Sequence, residues 1–161
     1  MKKSTLFILI TISFLSSHSW NHALAQTEIN PKLRTTNETG CYTTDGKFTV
    51  PTIVMAVGLY HEPDFPKDRA LKIIDVAISS GCNIEEPDEA GSTPLIASII
   101  YNEPEMAKIL LHKGANPYLK MSSSKKYLDN LNSFEITELL IKKQLSQNRE
   151  KIYFELNLYR K

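Results

Sequence analysis

The residues best equipped for chemistry lie in two short stretches. His61 stands beside Glu62, with Asp64 two places on, a nitrogen and two carboxylates of the kind that hold a divalent metal. The stretch lacks the His-Glu-x-x-His spacing that puts two imidazoles on one helix face, and no cysteine pair supports it. An exposed loop histidine is the simpler expectation, and neither a metal nor any other cofactor is expected. Glu85-Glu86 and Asp88-Glu89 form the second stretch. Paired carboxylates serve acid–base catalysis when burial drives one pKa upward, which a solvated loop tip does not provide. His112 sits between Leu111 and Lys113 at the end of an expected helix, where a cation complements the negative pole of the dipole. No Gly-x-Ser-x-Gly elbow, Cys-x-x-Cys pair or phosphate-binding glycine loop occurs in the 161 residues. A binding protein rather than an enzyme is expected. A small hydrolase or metal-binding protein using His61, Glu62 and Asp64 is the remaining catalytic alternative.

The N-terminus reads as an export signal. Met1-Lys2-Lys3 is a basic start, Leu6 to Leu15 is an apolar run, and Ala23-Leu24-Ala25 is the small-x-small pattern that precedes cleavage. Residues 1–25 are therefore expected to be removed, taking His18 and His22 with them, and the product is expected in a bacterial periplasm. Nothing after this run is apolar enough to insert in a membrane. Lysine and arginine number 19 against 18 acidic residues, and losing Lys2 and Lys3 keeps the remainder near neutral. Such a balance gives no reason to expect nucleic acid as a partner. Cys41 and Cys82 are the two cysteines, and in an oxidising compartment they are expected to pair. Closing that loop stabilises the fold by about 4 kcal/mol on the chain-entropy account.

The elements that position these residues have a definite order. Gly91 suits a turn with positive φ, Thr93 a helix cap and Pro94 a first helical turn. Leu95 to Ile100 continues as a first helix, and Asn102-x-x-Glu105 reads as a capping box opening a second one. Met106, Ile109, Leu110 and Leu111 give that helix an apolar face, and Gly114 ends it. The run Asp88-Glu-Ala-Gly-Ser-Thr-Pro-Leu, followed by Leu110-Leu111-x-x-Gly114-Ala115, resembles the ankyrin repeat, a unit of about 33 residues. Ile96 replaces the family's histidine, and Asn102-Glu103 replaces its Gly-His link. The resemblance implies an all-α helical solenoid of three units, since a single helical hairpin cannot bury both its faces.

One interval upstream, Ile73-Ile74-x-Val76-Ala77-Ile78-x-x-Gly81 repeats the second-helix pattern, with Val50 to Val57 as its first helix and an enlargement around residues 58–66. Downstream, Lys126 to Leu131 takes the place of a helix start, and Ser133 to Ile141 repeats the second-helix stripe in a polar, degenerate cap. Residues 26–40 are patternless and expected to be disordered, leaving 41–161 as the repeat domain, with the form of residues 145–161 open.

In ankyrin proteins the hairpin fingers and the exposed side of the first helices grip protein partners. Carried onto this chain, the resemblance marks Glu85, Glu86, Pro87, Asp88, Glu89 and Ala90 on one finger and Ile100 and Tyr101 on the first helix. Pro117, Tyr118, Lys120 and Met121 mark the next finger, and Tyr60, His61, Asp64 and Phe65 the enlarged link. The implied function is a periplasmic protein-binding module, either an immunity-type inhibitor of a secreted antibacterial toxin or an adaptor for another envelope protein.

Overall fold

Threonine, tyrosine and valine favour extended backbone, and Asp45-Gly46 supplies the turn between two such runs. The Asp45 carboxylate accepts the N–H groups of Lys47 at 2.8 Å and Phe48 at 2.9 Å, while Gly46 takes φ 93°. The result is a hairpin of β2 (Tyr42–Thr44) and β3 (Thr49–Pro51), extended by β1 (Arg34–Thr35) into an antiparallel sheet of order β1-β2-β3. This computed structural model describes residues 34–36 and 38–161, and the expected export signal lies outside them. The sheet corrects the all-α expectation. Its strands have two or three residues, too few to show an alternation, and Arg34 and Thr35 fall inside the stretch expected to be disordered.

Six helices follow among the described residues. They are α1 (Thr52–His61), α2 (Lys67–Ser79), α3 (Pro94–Ile100), α4 (Pro104–His112), α5 (Ser133–Lys143) and α6 (Gln147–Asn157). α1 packs with α2, α3 with α4 and α5 with α6 as three hairpins; α1, α3 and α5 touch in an inner row, and α4 packs on α6 in an outer row. The core between the rows is apolar, with Ile53, Ile74, Ile96, Ile99, Met106, Leu110, Ile136, Ile152 and Leu156 almost fully buried.

The middle hairpin forms as its sequence dictates, with one exception. Thr93 Oγ1 accepts the Ile96 N–H at 3.3 Å, and Pro94 occupies the first helical position. Asn102 does not cap α4: it takes φ 63° in the tight link, and the cap residue Glu103 makes no side-chain cap bond. The first two hairpins end alike. The Cys82 N–H reaches Ala77 O and the Ala115 N–H reaches Leu110 O, both at 3.0 Å, with Gly81 and Gly114 at positive φ, which satisfies the last helical carbonyls. Gly91 has a stricter role: besides φ 79°, a side-chain carbon there would lie 1.8 Å from the Ser122 carbonyl oxygen of the next finger.

The first unit is enlarged in its helices more than in its link. Its first helix starts at Thr52 and runs through the expected loop to His61, ten residues against seven in α3, and its second has thirteen against nine in α4. The third unit is shifted from the expected register. Ser133–Lys143 packs on α3 and is therefore the first helix of its hairpin, not the second, while the undecided C-terminal stretch supplies the second as α6. Asn130 at φ 61° and Asn132 as the N-cap stand where Gly91 and Thr93 stand one unit earlier. The region 122–132 holds turns rather than a helix start.

Candidate protein-interaction surface

Three loops reach out beside the N-termini of the inner helices: the β2–β3 hairpin, residues 83–92 and residues 116–132. The first is tied to the second by the Cys41–Cys82 disulfide and by the Tyr42 hydroxyl, which donates to Glu86 Oε1 at 2.8 Å. That bond, made to an anion, holds the Tyr42 phenol above its usual pKa. The second is tied to the third by Glu85, whose Oε1 accepts the Asn116 N–H at 2.6 Å. Its Oε2 is buried without a partner, and burial raises the Glu85 carboxyl pKa against the opposing pull of the Asn116 N–H.

The expected finger residues therefore divide into builders and exposed groups. Glu85 and Glu86 join the fingers, and Asp88 builds its own turn by accepting the Ala90 N–H at 2.9 Å and the Ser92 N–H at 2.8 Å. Pro87, Glu89 and Ala90 are exposed at that turn. On the third finger Lys120 is exposed, but Pro117 and Met121 are buried and offer a partner nothing. Tyr118 is partly exposed yet pinned: its ring lies 5.1 Å from that of Phe134, and its hydroxyl donates to Tyr159 O at 3.1 Å and accepts the Lys161 N–H at 2.6 Å.

At the opposite ends of the inner helices, the enlarged link folds onto the middle unit. The His61 ring stacks on Tyr101 with centroids 5.1 Å apart, and its Nδ1 lies 2.9 Å from Glu103 Oε1. Lys67 Nζ reaches the other Glu103 oxygen at 3.4 Å and lies 4.3 Å from the Tyr60 ring centroid. The partner of His61 is thus Glu103, forty-two positions away, not its sequence neighbours Glu62 and Asp64, both exposed. No group of three metal-ligating side chains occurs among the described residues. Tyr60 is buried and Phe65 half-buried against the core, correcting their expected place on the surface. Ile100 and Tyr101 keep 37% and 40% exposure.

Three exposed aromatics lie outside the expected set, one of them Phe154 on α6. Phe48, 65% exposed, stands beside the hairpin turn, and Tyr127, 55% exposed, stands on the third finger. Phe48 went unread because its strands are short. Tyr127 was assigned to a helix start that is in fact a turn.

Residues 90–122 match the family model described as ankyrin repeat. The matched stretch begins at the Gly91 turn, holds α3, α4 and the Gly114 helix end, and closes on the following finger. It supports an ankyrin-repeat protein with a helical repeat fold, and such a repeat is a protein-binding module. Neither the curated proteins nor the solved structures hold a match to the chain. No helix among the described residues is long and apolar enough to cross a membrane.

Proposed function

We propose that the chain is an exported module that binds one partner protein through its fingers and inner helices, acting by capture rather than catalysis. The observation that carries this reading is the ankyrin repeat at residues 90–122, flanked by exposed apolar and acidic groups at Phe48, Glu89 and Ile100. Large side chains displayed on a rigid frame anchor protein interfaces at low entropic cost. The disulfide fits an oxidising compartment, in keeping with the export pattern of residues 1–25. An immunity role, in which the partner is an antibacterial toxin that enters the periplasm, is the specific form proposed. It accords with a small exported binder whose acidic residues Glu85, Glu86 and Asp88 are occupied in joining and shaping its fingers.

The test is capture from periplasmic and secreted fractions by the oxidised chain, compared with a Phe48→Ser, Glu89→Lys, Ile100→Ser variant of matched melting temperature. One protein retained by the native chain and lost from the variant is the expected result, with that protein toxic when expressed alone. Equal capture by the variant removes the finger surface from consideration. A captured but harmless protein replaces immunity by the adaptor role.

A further inference from the structure

The third finger carries a charge arrangement that the finger surface described above does not use. Lys142 and Lys143 occupy the last turn of α5. The Lys143 ammonium lies 4.5 Å from the Tyr127 ring centroid, which brings the turn bearing Lys125 and Lys126 to the end of that helix. The turn is ordered, because Lys125 O accepts the N–H groups of Leu128 at 2.8 Å and Asp129 at 3.1 Å, and Leu128 is buried beneath it. All four lysines are exposed.

None of them has an ion-pair partner among the described residues, where the cations in salt bridges include His61, Lys67, Lys108, Lys113 and Arg160. The acids of this turn and of α5 are engaged elsewhere: Asp129 accepts the Ser123 N–H, Glu135 accepts the Asn132 N–H, and Glu138 pairs with Arg160. A cation at a helix C-terminus complements the dipole, which accounts for Lys142 and Lys143 standing where they do. It does not account for Lys125 and Lys126 arriving from another segment, nor for an exposed tyrosine ring between them and Lys143 in the same turn-to-helix contact.

We infer that Lys125, Lys126, Lys142 and Lys143, around the Tyr127 ring, form a second docking surface for an acidic segment of a partner protein. Charge complementarity sets the sign of the occupant, and the tyrosine ring sets its class. A ring with a wet edge and an apolar face anchors peptide side chains. The whole chain carries a formal charge of only +1, so it lacks the long-range field that draws a protein to a phosphate polymer or an anionic bilayer. The surface shares no residue with the Phe48, Glu89 and Ile100 set, so the two readings fail independently.

The experiment is titration of the oxidised chain with a short fluorescent peptide rich in glutamate and carrying one leucine, alongside the same peptide with glutamine in place of glutamate. The glutamate peptide binds, the glutamine peptide does not, and affinity falls as salt is raised from about 50 to 200 mM. A Lys125→Ala, Lys126→Ala, Lys142→Ala, Lys143→Ala variant loses about tenfold or more, taking each exposed pair at its usual modest strength. Tyr127→Ala also weakens binding, whereas Lys72→Ala with Lys151→Ala leaves it unchanged. Equal binding of the two peptides, or an unaffected quadruple variant of native melting temperature, overturns the inference. So does tighter binding of duplex DNA or phosphatidylglycerol vesicles, which assigns the lysines to a phosphate surface. A salt-sensitive dimer of the chain alone overturns it too, by giving the patch to the acidic finger of a second copy.

Discussion

Glu85 is charged, lies in an acidic run and has the composition of a contact residue, yet its carboxylate faces inward to hold the Asn116 N–H. Identity and local spacing cannot separate such a group from an exposed one, because the partner lies thirty-one positions away and becomes a neighbour only when two repeats stack. The same holds for Glu86 with Tyr42 and for His61 with Glu103. The half-buried Glu85 site has a measurable consequence. Burial raises its folded pKa above the ordinary 4.5, so the folded state binds a proton more readily than the unfolded one. Its contribution to stability is fully present below that ordinary value and is lost as pH rises through the folded pKa. Glu85→Gln retains a carbonyl for the Asn116 N–H and removes the ionisation. Urea unfolding of the two proteins is expected to coincide near pH 4 and to favour Glu85→Gln increasingly toward pH 7. A difference that is constant with pH, or that favours the native chain at pH 7, contradicts the burial account.

At the scale of the element, the middle hairpin was legible because its local signals agree, the Asn102 capping box excepted: Gly91 turn, Thr93 cap, Pro94 start, apolar face, Gly114 end. The third unit was misread by one helix because those signals are carried by other residues. Asn130 does the work of the turn glycine, which asparagine manages through its tolerance of positive φ, and Asn132 does the work of the threonine cap. With neither Gly nor Thr-Pro in view, the apolar stripe of Ser133 to Ile141 fits either helix of a hairpin, and only packing against α3 decides between them. The β-hairpin was missed for a related reason: its order comes from the Asp45 turn and the disulfide, not from a hydrophobic pattern. The start of α5 is checked at its cap. The Asn132 side chain accepts the Phe134 and Glu135 N–H groups, and the Glu135 carboxylate accepts the Asn132 N–H at 2.8 Å. Asn132→Ala is expected to cost about 1 kcal/mol in denaturant unfolding. Adding Glu135→Ala is expected to cost less than the single changes sum to, because both act on one box. Strict additivity would place the start of α5 elsewhere.

In the whole molecule, a short solenoid has a weakness at each end, where a unit buries only one side. The C-terminal end closes with α6, pinned by the Tyr118 hydroxyl and the Lys108–Glu155 pair at 3.4 Å. At the N-terminal end of the described residues a three-stranded sheet stands beside the first hairpin, fastened through three kinds of contact. Thr52 bonds back to Gly40 O and Cys41 O, Tyr42 reaches Glu86, and the disulfide joins Cys41 to Cys82 across a separation of 41 residues. Of these the covalent link constrains the unfolded chain most, by about 4 kcal/mol at the upper end of what such loops give. A Cys41→Ser, Cys82→Ser variant is therefore expected to melt at lower temperature and to lose protection unevenly. Amide exchange should accelerate first in residues 42–51 and at the end of α2, while α3, packed between α1 and α5, and α4, packed on α3 and α6, stay protected until global unfolding. Uniform acceleration across all units would mean that the sheet and the solenoid unfold as one body. Unchanged exchange in residues 42–51 would mean that the hydrogen bonds of Thr52 and Tyr42 hold the hairpin without the disulfide. The expected pattern makes the first finger, which carries Phe48, the part of the proposed binding surface whose order depends on the disulfide. Capture of a partner through Phe48 should then weaken on reduction, while binding at Lys143 and Tyr127, at the far end of the row, should not.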